Sequence, residues 1–203
     1  GGVGPMNHLA PIFKERARRQ VLEDLALAGP RLAARPELAR LVPESGMNLA
    51  LGVPYADAPD EVAAFSGRIT ATRRGAILVG GCPEFGASPQ LAKVLLAARR
   101  HNAEALCVLN LRLDEGLPGA LERAGLVAAS FDRAEEPGYL KERDGGPLEW
   151  GTYEALARHP EPGSVDVVLD GGEFAKEPMA RLFGEDVEDL LRKLGLVLTE
   201  LGR

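Results

Sequence analysis

Residues 89–111, PQLAKVLLAARRHNAEALCVLNL, contain a helical pattern that is followed at once by a strand pattern. Apolar residues recur at helical spacing: Leu91, Val94, Leu95 and Ala98. This spacing predicts a helix over 89–101 with one apolar face. The nearly continuous apolar run at 105–111 is typical of a strand that is buried on both faces. The two together predict an α/β domain whose helices cover a sheet.

The rest of the chain continues to alternate helical and strand patterns. Further helices are predicted at 12–28, 36–41, from 57–60 onward, and at 117–124, 150–158 and 187–201. Further strands are predicted at 47–53, 68–72, 76–79, 126–131, 165–169 and 179–183, the second and third as a hairpin. Gly29 and Pro30 are expected to end the first helix, and residues 1–9 are interpreted as a linker.

Composition excludes several classes of function. The chain has 203 residues and a formal net charge of −6, whereas nucleic-acid binders concentrate Lys and Arg on one face. Its apolar runs are far shorter than the roughly 20 residues that span a bilayer, so we expect no membrane contact and a cytoplasmic location. Cys82 and Cys107 are interpreted as small buried hydrophobes. Three isolated histidines favour neither a Ser-His-Asp triad nor a histidine-rich metal site.

The loop before the 89–101 helix has small residues at Gly86, Ala87 and Ser88, and Gln90 follows within the first turn. The first amides of a helix lack intrahelical partners and the helix dipole favours an anion, so this junction is a candidate phosphate site. The alternative is that Ser88 simply caps the helix, with Pro89 as its first residue.

A second small-residue loop, 170–178, follows the predicted strand at 165–169. It contains Asp170, Lys176 and Glu177, which suit Mg²⁺ held together with phosphate oxygens, since magnesium sites use one or two carboxylates. The alternative is a solvated turn. The loop lacks the Gly-Lys-Ser/Thr frame of a Walker motif.

Three arginines lie at strand ends. Arg68 begins one predicted strand, Arg112 ends another in Asn110-Leu111-Arg112, and Arg133 follows a third. A guanidinium group at a strand end can present a bidentate fork to a phosphate. Any one of these arginines could be an ordinary surface charge, but three in one chain favour an anion site, to which Asn110 is also assigned.

These motifs occur in an order that resembles the ThiN-type thiamine-phosphate synthase family. The motifs are LVPE at 41–44 with Asn48, GRI at 67–69, FGAS at 85–88, NLR at 110–112, FDR at 131–133 with EEP at 135–137, WG at 150–151, and KEPM at 176–179. The resemblance covers 41–203 and implies a domain there, preceded by an N-terminal linker and helices at 1–40. The segment at 2–9 and the helix after it resemble the connection between a hydroxymethylpyrimidine phosphate kinase and a fused ThiN domain.

The resemblance implies a three-layer αβα fold with a mixed sheet, like that of class II aldolases. It implies that an aminopyrimidine methylene group passes from its diphosphate to the nitrogen of a thiazole phosphate, giving thiamine phosphate and pyrophosphate. Arg68 is then an essential catalytic residue, and Mg²⁺, with Asp170 as a ligand, is the expected cofactor. The partners are small phosphorylated pyrimidine and thiazole substrates, and the chain is expected to form a homodimer.

Gln90 departs from the family pattern, which has a histidine two residues after the serine of the FGAS loop. Glutamine donates a hydrogen bond but carries no charge and shuttles no proton near neutral pH. One hypothesis is an active synthase in which Gln90 takes over the orienting role of the histidine. A second is a domain that binds or senses thiamine phosphate without turnover, and a third is a domain that only pairs chains through its terminal helices.

Overall fold

The structure, a computed structural model, describes residues 6–140, 146–173 and 176–203. Residues 1–5 of the predicted linker at 1–9, and two residues of the 170–178 loop, Phe174 and Ala175, lie outside the described residues. The helices are α1 (Met6–Ala33), α2 (Pro89–Arg99), α3 (Leu117–Arg123), α4 (Gly146–Ala157) and α5 (Val187–Leu201). The strands are β1 (Leu49–Gly52), β2 (Val62–Phe65), β3 (Ile69–Ala71), β4 (Ile77–Val79), β5 (Pro83–Phe85), β6 (Cys107–Arg112), β7 (Ala128–Phe131), β8 (Val167–Asp170) and β9 (Met179–Gly184).

In the described part of the chain, seven strands form a mixed sheet in the order β5-β2-β1-β6-β9-β8-β7, with β7 and β8 parallel and the other neighbouring pairs antiparallel. One group of contacting helices, α1, α3 and α5, and a second group, α2 and α4, cover it. The predicted three-layer αβα arrangement with a mixed sheet is therefore confirmed. β3 and β4 form the predicted hairpin, which attaches through a bridge between Ile69 and Met47.

β6 lies at the centre of the sheet, as its apolar run predicts. It pairs with β1 on one side and along its whole length with β9 on the other, and Cys107, Val108 and Leu109 have no exposed surface. A strand that is covered on both faces and paired on both edges needs no polar alternation. This strand therefore organises the core between the two helix layers.

The first helix is longer than predicted. α1 begins at Met6, within the predicted linker, and continues through Pro30 to Ala33. A proline within a helix costs about 3 kcal/mol. Leu25, Ala28 and Leu32 on the same face are fully buried against the sheet, and their burial outweighs this cost.

Two short strands were not predicted. The expected helix from 57–60 is only a single 3₁₀ turn, Pro59–Glu61, in which Glu61 Oε2 accepts the amides of Asp57 and Ala58. β2 follows it directly, although its sequence VAAF has low strand propensity, because it lies buried between β1 and β5. β5 lies within the predicted 80–89 loop. Tertiary pairing overrides local propensity at both places.

In the described ranges, no helix combines the length and the apolar character that a membrane crossing requires.

Candidate functional site

A cleft of about 1500 Å³ opens at one end of the sheet. β1 and β9 begin at this end of the sheet, and β6, β7 and β8 end there. The register of the strands shows this: Leu49 lies opposite Leu109, and Asp170 lies opposite both Met179 and Phe131. The described residues that line it are Glu44, Ser45, Gly46, Asn48, Phe65, Ser66, Arg68, Ala87, Ser88, Pro89, Gln90, Leu91, Asn110, Arg133, Pro147, Leu148, Glu173, Lys176, Glu177, Met179 and Arg181.

The cleft brings together most of the side chains that the sequence singled out. Those that line it are Arg68, Ala87, Ser88, Gln90, Asn110, Arg133, Lys176 and Glu177. Gly86, Arg112 and Asp170 lie next to it but do not line it in the described structure. The site is therefore assembled from loops and strand ends that are far apart in sequence.

Arg68 is held by contacts to both its backbone and its side chain. Its carbonyl accepts the Gly80 amide at 3.0 Å, and its Nη1 donates to the carbonyl of Ser45 at 2.7 Å. The side chain passes over Gly46 and remains exposed. A guanidinium group that is fixed by one hydrogen bond and otherwise open to solvent is suited to bind an anion that enters and leaves.

The FGAS loop connects β5 to α2 at the mouth of the cleft. Gly86 adopts a φ of +76°, and its amide donates to the carbonyl of Val62, so this amide is not available to a ligand. Ser88 lies at the N-cap position and Pro89 begins the helix, as predicted, but the Ser88 side chain makes no capping hydrogen bond. The start of α2 faces the cleft, so its dipole adds positive potential there.

Asn110 holds the cleft wall together. Its Oδ1 accepts the Asn48 amide at 2.7 Å, and its Nδ2 donates to the carbonyl of Gly46 at 3.2 Å. Asn48 in turn is buried and bonds to both backbone groups of Phe65. Asn110 therefore connects β6 to the segment that supports Arg68.

Arg112 and Glu177 pair with each other beside the cleft. Arg112 Nε donates to Glu177 Oε1 at 3.0 Å, while Glu177 Oε2 accepts the amide of Glu44 at 2.9 Å. One N–H of the Arg112 guanidinium is thus used by a carboxylate, and Arg112 is not among the described residues that line the cleft. Its expected role in binding phosphate stays a prediction. Lys176 does line the cleft and lies 3.2 Å from Glu173 Oε2.

Asp170 lies beneath the cleft and binds two arginines. Its Oδ1 accepts Arg133 Nε at 2.7 Å, its Oδ2 accepts Arg133 Nη2 and also Arg181 Nη1 at 3.2 Å, and the Gly172 amide donates to Oδ1. Burial alone would raise the pKa of Asp170, but these hydrogen bonds and the charges of both arginines hold that pKa below its ordinary value.

This geometry does not fit the prediction that Asp170 binds magnesium. Both carboxylate oxygens already accept hydrogen bonds, the residue has no exposed surface, and two adjacent guanidinium groups repel a cation. Within the described ranges, no group of three His, Cys, Asp or Glu side chains is placed to hold a metal ion. The need for Mg²⁺ itself stays a prediction.

Two features of the structure were missed or misread from the sequence. Arg181 interrupts the apolar strand sequence MARLFG, and a charged residue at an otherwise apolar strand position is the signal that could have identified it. Cys82 is exposed and lies near Glu84, so only Cys107 is the buried hydrophobe that was expected of both.

The chain resembles known proteins over most of its length. A family model described as thiamine-phosphate synthase ThiN matches residues 24–195. The thiamine-phosphate synthase ThiN of Methanothermobacter thermautotrophicus is 31% identical over 169 residues, which cover 83% of this chain and 87% of that protein. The bifunctional thiamine biosynthesis protein ThiDN of Methanocaldococcus jannaschii is 36% identical over 157 residues, 77% of this chain.

The chain spans about a third of that bifunctional relative, since the match covers 36% of its length. Among solved structures, the C-terminal domain of a phosphomethylpyrimidine kinase superposes with a TM-score of 0.81 at 28% identity. That match covers 89% of this chain and 99% of the solved one. The similarity therefore includes the strands and loops that form the cleft.

Proposed function

Because the chain belongs to the thiamine-phosphate synthase ThiN family, we propose that it joins hydroxymethylpyrimidine diphosphate to hydroxyethylthiazole phosphate, giving thiamine phosphate and pyrophosphate. The observation that carries this proposal is that Arg68 and the start of α2 share one cleft with Arg133, Lys176 and Arg181. Both substrates are anionic. Counted over the described residues, the cleft holds four cationic side chains beside three glutamates, and the arginines among them that do not pair with these glutamates are suited to such substrates.

In the proposed reaction, the bond between the pyrimidine methylene carbon and the diphosphate oxygen breaks. The lone pair of the thiazole nitrogen forms a new bond to that carbon, and the electrons of the broken bond leave with pyrophosphate. Arg68 and the start of α2 stabilise the charge that develops on the leaving group. Asn110 positions the wall that carries Arg68, and the cleft holds the two rings in line for attack.

A second candidate is a domain that binds thiamine phosphate without turnover. The observation in its favour is Gln90, which lines the cleft where the resemblance implies a histidine, while no described histidine lines it. An amide can orient a phosphate oxygen by hydrogen bonding, but it cannot exchange a proton with the leaving group.

Pyrophosphate release from the two substrates, measured for matched variants with magnesium present, separates these candidates. Gln90→His should raise kcat/KM, by up to about 10²-fold if the imidazole acts as a general acid. Arg68→Ala should lower kcat/KM by about 10²–10³-fold because it removes charge stabilisation from the leaving group. Arg74→Ala is the control, since Arg74 lies in the turn of the same hairpin, exposed and outside the cleft.

If neither the wild type nor Gln90→His releases pyrophosphate at any substrate concentration, the synthase proposal is wrong. Titration calorimetry with thiamine phosphate on the same samples then tests the binding candidate. Binding without turnover supports a sensor, and absence of binding contradicts both candidates.

We also propose that the domain acts in the cytoplasm as a homodimer and is joined to a kinase. The bifunctional relative supports the fusion. Exposed apolar side chains on α1 and α5 support an interface made by these helices, namely Ile12, Phe13, Leu27 and Leu196.

The molecular mass in solution tests the dimer. Replacing Phe13 and Leu27 by Ser should shift that mass to the mass of one chain.

A further inference from the structure

The floor of the cleft contains two arginines that share one carboxylate. Arg133 is 7% exposed and Arg181 is 2% exposed, yet both side chains line the cleft. Asp170, which holds them, has no exposed surface. Burying two guanidinium groups costs free energy unless each of them is paired with an opposite charge.

The hydrogen bonds to Asp170 leave an excess of donors. A carboxylate has about four acceptor sites, and three arginine N–H groups and the Gly172 amide already occupy those of Asp170. Among the described residues, Arg133 Nη1, Arg181 Nε and Arg181 Nη2 donate to no protein group. These donors are left to an anion in the cleft, and a phosphate monoester has the oxygens to accept them.

The floor and Arg68 lie towards opposite sides of the cleft. Arg68 is anchored beside the start of β1, while Arg181 is on β9 and Asp170 on β8, two and three strands away. At about 4.8 Å per strand, this separation is roughly 10–14 Å. The cleft therefore has space for two separate anions with an organic skeleton between them.

The two sites differ in the anion they suit. The leaving pyrophosphate must depart, which fits the exposed Arg68, whereas the thiazole phosphate stays attached to the product throughout. We propose that the pair formed by Arg133 and Arg181, held by Asp170, binds the phosphate monoester of the thiazole substrate and of thiamine phosphate. This inference rests on the proposed function, and it adds which end of the cleft binds the phosphate monoester and which binds the pyrophosphate.

The test compares binding of thiamine phosphate, thiamine and inorganic pyrophosphate by titration calorimetry. In Arg181→Met, we expect the preference for thiamine phosphate over thiamine to fall by about tenfold or more, because charge-assisted hydrogen bonds to the phosphate are lost. Pyrophosphate affinity should change less than about twofold. Arg68→Ala should lower pyrophosphate affinity and leave the preference for thiamine phosphate over thiamine nearly unchanged. Arg74→Ala should change neither quantity. General destabilisation of the structure would weaken the binding of thiamine and of thiamine phosphate alike, and the ratio of the two affinities would not change.

Arg133→Lys provides a second variant in case Arg181→Met does not fold, as judged by its thermal unfolding transition. It keeps the charge but removes both the bidentate bond to Asp170 and the Nη1 donor assigned to the phosphate, so the same loss of phosphate preference is expected. An unchanged preference in a folded variant, or a loss confined to pyrophosphate, overturns the assignment. If the wild type binds neither thiamine phosphate nor pyrophosphate, the proposed function fails and this inference fails with it.

Discussion

Arg68 crosses the segment before β1 at a position that has no side chain. Gly46 has a φ of +90°, and a Cβ there would lie 2.9 Å from Arg68 Cβ and 2.8 Å from its Cδ. The positive φ strains any L residue, and the close approach would in addition displace the guanidinium. A residue outside every motif that we recognised in the sequence therefore sets the position of the proposed catalytic arginine.

Gly46→Ala should therefore lower both stability and ligand binding. We expect a loss of about 1–3 kcal/mol in the free energy of unfolding and a clear loss of pyrophosphate affinity. Gly75→Ala is the matched control: Gly75 has a φ of +82° but no atoms within 4 Å of an added Cβ. If the two variants lose equal stability and both keep wild-type pyrophosphate affinity, Gly46 has no role in positioning Arg68.

At the scale of elements, one glycine sets the distance between α4 and β7. A Cβ at Gly151 would lie 2.2 Å from the ring of Phe131, which also contacts Trp150 edge-on. The first turn of α4 contributes Pro147 and Leu148 to the cleft. Packing between this helix and this strand thus determines one wall of the site.

Gly151→Ala should destabilise the fold even though alanine favours helices. We expect a loss of about 1–3 kcal/mol in unfolding free energy, measured by chemical denaturation, because the methyl group overpacks the interface. Gly195→Ala, in the interior of α5, should instead be neutral or stabilise by up to about 1 kcal/mol, since its new Cβ meets only the flexible end of Arg35. Equal effects of the two changes would contradict this view of the interface.

At the scale of the whole molecule, α1 belongs to the same core as the sheet. Its residues Val21, Leu25, Ala28 and Leu32 are buried in that core, and the family match begins within the helix, at residue 24. The predicted division between 1–40 and 41–203 stays a prediction. In this structure, the first helix contributes to the stability of the unit that carries the site.

Leu25→Ala should therefore cost about 2–5 kcal/mol in the free energy of unfolding, because it leaves a cavity under the sheet. Glu23→Ala is its control in the same helix, since Glu23 is exposed and its loss should have little effect. If Leu25→Ala unfolds at the same denaturant concentration as Glu23→Ala, α1 is not part of the cooperative unit.

The cluster beneath the cleft links the stability of the whole molecule to pH. The pKa of Asp170 is lower in the folded chain than its unfolded value of about 3.9, so its stabilising contribution is complete above that value. It is lost as the pH falls through the folded pKa, when the carboxylate takes up a proton and releases the two arginines.

Asp170→Asn should lower the free energy of unfolding at neutral pH by about 3 kcal/mol or more, because it leaves two buried guanidinium groups without a charged partner. As the pH falls below about 4, the free energy of unfolding of the variant should also decrease less than that of the wild type, measured by chemical denaturation at several pH values. Asp60→Asn, on the exposed surface, is the control and should leave both quantities nearly unchanged. An acid profile that is the same in wild type and Asp170→Asn would contradict the linkage.

Long periodic elements could be predicted from the sequence because their signals are local. The boundaries of α5 agree with the prediction, since an apolar 3.6-residue period follows Asp186, whose side chain caps the Asp189 amide. β2 and β5 could not be predicted, because neither sequence favours a strand without its neighbours. The continuation of α1 through Pro30 could not be predicted either, because it depends on the burial of other α1 residues in the tertiary structure.

The sequence by itself determined the α/β class, the central apolar strand and the loops and arginines from which the proposed anion site is built. Only the tertiary structure decided which of those groups face the cleft. Arg112 is the last residue of β6 and Arg133 follows β7 at the same end of the sheet, yet their carboxylate partners are 65 and 37 residues away in sequence. Ion pairs over such distances depend on strand register and backbone course. Local sequence patterns contain neither, so the pairing of charges, and with it the site, is a property of the folded chain.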